Sequence, residues 1–209
     1  MLRILIADDH SVVRKGLRQI LLEGFPTATI EEVADAEDMI KKVIQSDWDV
    51  VISDLSMPGR SGLEALQQIK QINSKIPVLI LSIHPEEQYA LRVLKAGASG
   101  YLNKDMAPEE LVNAVQRVML GKKYITASIA EKLASVLDQD SDKAPHEYLS
   151  DREFMVLKLL AAGKSVSEIA ESLFLSVTTV STYRARIMAK MNMKNNADLT
   201  LYAVENKLL

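Results

Sequence analysis

The chain has 209 residues, of which 48% are hydrophobic and 25% are charged, and its formal net charge is −3. These values predict a globular protein with enough apolar side chains for two cores. Because the sequence contains no cysteine, disulfides, thiolate metal sites and cysteine nucleophiles are excluded. The apolar run Met1–Ala7 is too short for a signal peptide or a membrane span, and no long apolar stretch follows. We therefore expect a cytoplasmic protein without a membrane partner.

The charge is unevenly distributed along the chain. Residues 1–137 hold 16 basic and 18 acidic residues, and residues 138–148 hold one basic and four acidic residues. Residues 149–209 hold eight basic and six acidic residues, a net charge of +2. Only this last part carries the sign that a phosphate-binding module needs.

The first 120 residues alternate short apolar runs with amphipathic stretches. The predicted strands are Arg3–Ala7, Thr29–Val33, Val50–Ser53, Val78–Ser82 and Gly100–Leu102, and the predicted helices lie near 11–23, 36–46, 61–72, 85–97 and 107–120. Buried parallel strands have continuous apolar sequences, and Ile76–Leu81 fits that pattern. The alternation predicts a five-stranded, doubly wound α/β sheet, which binds ligands at the carboxyl ends of its strands.

The remainder of the chain is predicted to be helical, apart from one polar segment. A short helix is expected over Ala127–Leu137, and the charged, proline-containing residues 138–146 are typical of a linker. Two capping-box patterns, one linking Ser150 to Glu153 and one linking Ser165 to Glu168, mark helix starts. Two further helices are predicted, one capped by Ser176 and running to about Met191 and one over Asn195–Glu205.

Polar side chains stand where the predicted strands end. They are Asp8, Asp9, Asp54, Ser82 and Lys104. Three neighbouring carboxylates repel one another unless a cation neutralises them. An oxygen-rich cluster without cysteine or a spaced histidine pair suits Mg²⁺. His10 is expected to be a solvated loop residue or a minor neighbour of this pocket, and His84 and His146 are expected to be plain surface residues.

Four motifs in this half resemble those of response-regulator receiver domains. They are Ala7-Asp8-Asp9-His10, Asp54-Leu55-Ser56-Met57-Pro58-Gly59, Ser82, and Gly100-Tyr101-Leu102-Asn103-Lys104-Asp105. The resemblance covers about residues 1–122 and implies a flavodoxin-like receiver fold. Two aspartates alone would be weak support, but four motifs in order at strand ends are specific.

The resemblance also implies a role for each residue of the pocket. Asp54 would be the nucleophile that accepts a phosphoryl group from a sensor histidine kinase. Asp9, Asp54 and the backbone carbonyl of Ser56 would bind Mg²⁺ directly, and Asp8 would bind it through a water molecule. Lys104 and the Ser82 hydroxyl would contact phosphoryl oxygens, and Tyr101 would then turn inward as a switch.

One residue departs from the receiver pattern. Many receiver domains have a proline after the lysine, whereas this chain has Asp105. A cis bond between Lys104 and Asp105 would cost about 3–4 kcal/mol. Either a trans bond or local strain is therefore expected.

The C-terminal segment resembles the four-helix LuxR-type helix-turn-helix, which is joined to a receiver in the NarL/FixJ subfamily of response regulators. The resemblance rests on Leu149-Ser150-Asp151-Arg152-Glu153, on Ala161–Ala170 and Leu175–Arg184, and on the helix-pair spacing of Ile169, Ala170, Leu173, Val180 and Ile187. It implies three parts, namely a receiver over 1–122, a linker helix and flexible linker over 123–147, and a DNA-binding domain over 148–209.

By this resemblance the helix Val177–Met191 would enter the major groove of DNA. Thr178, Thr179 and Ser181 would donate to phosphates, while Thr182 and Ala185 would approach base edges. Arg186 and Lys190 would contact phosphates or flanking bases, and Tyr183 and Arg184 could do either. Family members often have lysine or histidine at the positions of Ser181 and Tyr183, so the base preference does not transfer.

These residues predict a transcription regulator and not an enzyme. Phosphorylation would control binding of a homodimer to double-stranded promoter DNA, with the last helix as a candidate dimer contact and RNA polymerase as a further candidate partner. A Mg²⁺-dependent phosphatase is a rival reading, but it needs an acid/base aspartate two residues after the nucleophile, where Ser56 stands. A constitutive DNA-binding protein that uses its receiver only as a dimerisation scaffold is the second rival.

Overall fold

The computed structural model describes residues 1–131 and 144–209. The chain divides into two compact units, Met1–Gln139 and Asp140–Leu209. The predicted linker helix is helical over residues 127–131, and its remainder lies outside the described residues together with most of the predicted linker. The predicted domain boundaries therefore remain a prediction.

The first unit alternates strands and helices throughout. Its strands are β1 (Arg3–Ala7), β2 (Thr29–Val33), β3 (Val50–Asp54), β4 (Val78–Ser82) and β5 (Gly100–Asn103), and its helices are α1 (Ser11–Gly24), α2 (Ala36–Gln45), α3 (Gly62–Ile72), α4 (Glu86–Lys95) and α5 (Pro108–Met119). All strand pairs are parallel, in the order β2-β1-β3-β4-β5. The predicted five-stranded doubly wound sheet is confirmed. Its order reverses between β1 and β3, and the carboxyl ends of these two strands define the ligand-binding edge.

Both faces of the sheet are covered. Ile6, Ile52 and Leu81 point to one face and pack into a core with apolar residues of α1 and α5. Leu5 and Val51, which point to the opposite face, are also fully buried. Continuous Val, Ile and Leu runs form these strands because every position is shielded from water on one side or the other.

A segment after α5 adds to the sheet edge. Tyr124 forms a parallel bridge with Gly100, and its backbone N–H donates to the carbonyl of Ser99 at 2.8 Å. The Thr126 hydroxyl lies 2.9 Å from Oε1 of Glu86, the first residue of α4, and also accepts the N–H of Ile129. Residues 124–126 are therefore packed on the receiver fold beyond its last predicted helix.

The second unit is helical in its described residues, 144–209. A 3₁₀ helix (Pro145–Tyr148) precedes α6 (Asp151–Ala161), α7 (Val166–Ser172), α8 (Val177–Met191) and α9 (Asn196–Glu205). Both predicted capping boxes are present, which confirms the predicted starts of α6 and α7. The turn between α7 and α8 places Phe174 at φ 53°, and it leads directly into the Ser176 cap of α8. The helices pack around Phe154, Ile169, Val180, Ile187 and Leu199, which are almost fully buried.

None of the helices in the described part of the chain is both long enough and apolar enough to cross a membrane. The expectation of a plain surface residue is wrong for His146, whose Nδ1 lies 2.8 Å from the hydroxyl of Tyr202 in α9. This contact ties the 3₁₀ helix to α9 within the second unit.

Candidate functional site

The predicted carboxylates meet at the edge of the sheet where its order reverses. Asp8 follows β1 and is fully buried, and Asp54 ends β3 with 3% of its surface exposed. One ligand atom each from Asp8, Asp9, His10 and Asp54 lies within 4.8 Å of all the others. Adjacent parallel strands bring these residues together although 45 positions separate Asp9 from Asp54 in the sequence.

Lys104 closes the pocket from β5. Its Nζ lies 2.7 Å from Oδ2 of Asp8 and 2.9 Å from Oδ2 of Asp54. Burial alone would lower the pKa of Lys104, but the hydrogen bonds and charges of the two aspartates outweigh it, so the pKa is raised. Burial raises the pKa of Asp54, and the charge of Lys104 opposes that shift. The ammonium of Lys104 therefore lies where its positive charge stabilises the ionised carboxylate of Asp54.

The donor set of the pocket fits a hard divalent cation. Oδ2 of Asp8 and Oδ1 of Asp9 are buried oxygens, and their nearest charged or polar neighbours are Lys104 and His10. The exposed His10 contributes Nδ1 at 2.8 Å from Oδ1 of Asp9, so it borders the pocket as expected. Carboxylate oxygens without thiolates are the ligands that Mg²⁺ prefers.

The residues predicted to sense a phosphoryl group are linked to one another through His84. The backbone N–H of His84 donates to Oγ of the buried Ser82 at 3.0 Å, and its carbonyl accepts the hydroxyl proton of Tyr101 at 2.8 Å. Tyr101 is 3% exposed, so its ring already points inward in this structure. Nε2 of His84 lies 3.5 Å from Oγ of Ser56, and the His84 ring stacks on Tyr89. The expectation that His84 is a plain surface residue is wrong.

Gly62 is a site residue that the sequence reasoning missed. A Cβ atom at this position would lie 1.9 Å from the carbonyl oxygen of Asp54. The capping box formed by Ser61 and Glu64 starts α3 there, and the N–H of Gly62 donates to the carbonyl of Leu55 at 2.9 Å. Only a glycine allows the first turn of α3 to approach Asp54 this closely. A glycine directly after a capping serine was the available signal.

The loop after Lys104 adopts the first of the two expected geometries. No peptide bond is cis in the described parts of the chain, so the bond between Lys104 and Asp105 is trans. The backbone N–H of Lys104 donates to the carbonyl of Ser82 at 2.9 Å, which joins the ends of β4 and β5. Lys104 therefore reaches the aspartates without a cis bond.

The predicted DNA-contacting residues do not share one surface of α8. Thr178, Ser181, Thr182, Ala185 and Arg186 are exposed at helical spacing and form one face, which we call the exposed face of α8. Thr179, Tyr183 and Arg184 are half-buried. Two of the candidate hydroxyls are engaged locally, because Thr182 donates to the carbonyl of Thr178 and Oγ1 of Thr179 lies 2.7 Å from Oγ of Ser176.

The candidate cations of α8 differ in their surroundings. Nε of Arg184 donates to Oδ1 of Asn196 at 2.8 Å, and Nζ of Lys190 lies 2.6 Å from Oε2 of Glu153. Both groups are therefore engaged within the second unit, whereas Arg186 lies on the exposed face. The structure brings only part of the predicted set to a surface that DNA could meet.

Comparisons with known proteins match both units. Residues 4–116 match the response regulator receiver domain family, and residues 147–203 match the luxR family of bacterial regulatory proteins. The chain is 36% identical to the response regulator UvrY of Escherichia coli K12, over all of this chain and 96% of the relative. It is 40% identical to the oxygen regulatory protein NreC of Staphylococcus carnosus, over all of this chain and 99% of the relative.

Solved structures agree over nearly the whole length. RcsB from Salmonella enterica serovar Typhimurium bound to the promoter rprA in the presence of phosphomimetic BeF₃⁻ gives a TM-score of 0.57 at 29% identity, over 97% of this chain and 98% of that one. RcsB bound to the promoter P1flhDC gives 0.59 at 30% identity, over 96% and 97%. With its acidic pocket of the kind in which receiver domains typically bind Mg²⁺, this chain belongs to the NarL/FixJ-type response regulators, which join a receiver domain to a LuxR-type helix-turn-helix and regulate transcription.

Proposed function

We propose that a sensor histidine kinase phosphorylates Asp54 and that this phosphorylation controls dimerisation and promoter binding. The observation that carries the proposal is the buried carboxylate of Asp54, which lies beside Asp8 with the ammonium of Lys104 at 2.9 Å. A carboxylate oxygen of Asp54 attacks phosphorus, and the bond from phosphorus to the donor imidazole breaks with its electron pair left on nitrogen. A cation beside the acceptor lowers the cost of bringing phosphoryl charge to a buried acid.

Four residues would hold Mg²⁺ in this pocket. They are Asp9, Asp54 and the carbonyl of Ser56 by direct coordination, and Asp8 through water. The ion would neutralise charge on the transferring phosphoryl group and align it with its acceptor. The clustering of carboxylate oxygens of Asp8, Asp9 and Asp54 within 4.8 Å of one another supports this assignment. Slow hydrolysis of the aspartyl phosphate by the protein itself is part of the proposal.

The loop after β4 would transmit the change. The Ser82 hydroxyl would donate a hydrogen bond to a phosphoryl oxygen, while Lys104 would form an ion pair with another phosphoryl oxygen. Ser82 and Tyr101 both contact the backbone of His84, so movement of one alters the support of the other. Because Tyr101 is already inward, we propose that phosphorylation stabilises this arrangement instead of creating it.

The exposed face of α8 would contact promoter DNA in the major groove. The N-terminus of α8 favours phosphate, and Thr182, Ala185 and Arg186 lie along the same face. A net charge of +2 over residues 149–209 is a weak footprint, so two copies on adjacent half-sites are needed. The exposed Leu201 and Val204 of α9 make that helix a candidate dimer contact. The promoter complexes of RcsB support DNA binding, and we place the protein in the cytoplasm with RNA polymerase as a further candidate partner.

Incubation of the protein with Mg²⁺ and acetyl phosphate tests the proposal against both rivals. We expect a base-labile phosphoryl adduct that Asp54→Ala abolishes and that the matched control Asp47→Ala, at an exposed surface aspartate, retains. The adduct should increase affinity for promoter DNA. Rapid turnover of the phosphodonor would favour the phosphatase, and DNA affinity unchanged by the adduct would favour the constitutive DNA-binding protein.

A further inference from the structure

Glu153 contacts both the start of its own helix and the end of α8. Its Oε2 accepts the backbone N–H of Ser150 at 2.7 Å, which completes the capping box of α6. The same oxygen lies 2.6 Å from Nζ of Lys190 in the last turn of α8. The Glu153 side chain is 4% exposed and that of Lys190 is 42% exposed. A buried carboxylate at the start of α6 therefore holds the end of the DNA-contacting helix.

Lys190 stands at the edge of the exposed face of α8, one helical turn after Arg186. Successive residues of a helix are rotated by about 100°, so Lys190 lies about 100° from the exposed Ala189 and about 100° from the buried Met191. Thr178, Thr182 and Ala185 point to the same side as Ala189. Lys190 follows Arg186 by four residues and lies about 40° from it around the helix axis, and the contact with Glu153 holds its ammonium against α6.

We propose that Glu153 and Lys190 are a positioning pair that sets the angle of α8 for base reading, and that Lys190 is not a phosphate contact. The inference rests on the proposed entry of α8 into the major groove. For Lys190, and for no other residue of α8, it replaces the expectation of a contact with phosphate or flanking bases.

The length of α8 makes its angle sensitive to this pair. Lys190 lies 12 residues after Thr178, a separation of about 18 Å along the axis. A tilt of about 5° at the Lys190 end therefore moves the N-terminal residues by about 1.5 Å. Hydrogen bonds to base edges do not survive such a displacement, whereas phosphate attraction changes little. Loss of the pair should lower sequence discrimination more than it lowers general DNA affinity.

The test uses the full phosphorylated chain and two DNA probes. One is the duplex that the native chain enriches most strongly from a randomised pool, and the other is a scrambled duplex of the same composition. Glu153→Gln keeps a residue suited to the capping box but removes the charge, and Lys190→Met keeps the stem but removes the ammonium. Lys190→Arg is the conservative control. Dissociation constants are measured over a series of salt concentrations, at a temperature where each variant is folded by circular dichroism.

We expect Glu153→Gln and Lys190→Met each to weaken binding to the enriched duplex about tenfold and to leave binding to the scrambled duplex within about threefold. The salt slope should stay unchanged, and Lys190→Arg should bind like the native chain. A slope that falls by about one for Lys190→Met, with tighter binding by Glu153→Gln, would identify a phosphate contact and overturn the inference. Native affinity in both variants, with only a lower melting temperature, would also overturn it. If Glu153→Gln does not fold, Lys190→Met decides alone.

The failure of the proposed function would look different. A native chain that enriches no sequence would refute groove binding and this inference together. A native chain that discriminates normally, with a Lys190→Met variant that discriminates equally well, would refute only the positioning pair.

Discussion

Replacement of Gly62 by alanine is the sharpest test of the geometry around Asp54. The new Cβ would stand 1.9 Å from the carbonyl oxygen of Asp54 and 3.1 Å from the Cα atom of Leu55. Real Cβ contacts do not fall below 3.0 Å, so α3 and the end of β3 must separate by about 1 Å or more. Both obstacles are backbone atoms, and no side-chain rotation relieves them.

Gly62→Ala should lower the free energy of unfolding by an amount at the upper end of the range for overpacked cores. Such substitutions typically cost about 1–3 kcal/mol, and a backbone obstacle justifies about 3 kcal/mol for Gly62→Ala. For a domain of this size that lowers the melting temperature by roughly 10 °C. Gly16→Ala is the matched control, because Gly16 is exposed within α1 and its Cβ would meet nothing within 4 Å. It should stabilise the same unit by about 0.5–1 kcal/mol.

Tryptophan fluorescence isolates the unit that carries the substitution. Trp48, the one tryptophan of the chain, is 6% exposed and lies in the receiver unit. Its emission during urea unfolding therefore reports on that unit, and the rate of acetyl phosphate labelling reports on the position of Asp54. We expect Gly62→Ala to unfold earlier and to label more slowly. Equal stability of Gly62→Ala and Gly16→Ala would refute the close approach, and normal labelling of a destabilised variant would refute its importance for the pocket.

Three further outcomes follow from named contacts. Thr126→Val removes the hydroxyl that contacts Glu86 and caps Ile129, so labelling should be unchanged while the free energy of unfolding of the first unit, followed by Trp48 fluorescence in urea, falls by about 1 kcal/mol. Lys104→Met removes the cation between two buried carboxylates, so the melting temperature without Mg²⁺ should fall and the rise on adding Mg²⁺ should exceed that of the native chain. Burial would raise the pKa of Glu153, but Lys190 and the helix cap outweigh it, so the pKa lies below its ordinary value of 4.5. Glu153 therefore stabilises the second unit fully above pH 4.5, and this contribution should disappear as the pH falls through the lowered pKa. Acid titrations of the native chain and of Glu153→Gln, followed by circular dichroism, measure that contribution as the difference in stability between the two.

The fold and the members of the pocket could be predicted because both depend on order along the chain. A buried parallel strand needs an uninterrupted apolar run, and such runs ended at Asp8, Asp54, Ser82 and near Lys104. Once the strands are parallel, their carboxyl ends must meet at one edge. The starts of α6 and α7 could be predicted equally well, because a capping box is formed by residues only three positions apart.

Contacts between distant positions with no motif of their own could not be predicted in the same way. Lys190 looked like a DNA contact because basic residues on such a helix usually meet phosphate, and nothing in its neighbours points to Glu153, 37 positions earlier. The capping box accounts for Glu153 in the sequence, but Oε2 of its carboxylate accepts a second hydrogen bond, from Nζ of Lys190. His84 was missed for a related reason, because its backbone, not its imidazole, contacts Ser82 and Tyr101. Backbone atoms are the same at every position, so a role that rests on them leaves no mark in the residue type. Side-chain identity therefore locates the chemistry of this protein, while the coupling between its parts depends on contacts that only the folded chain reveals.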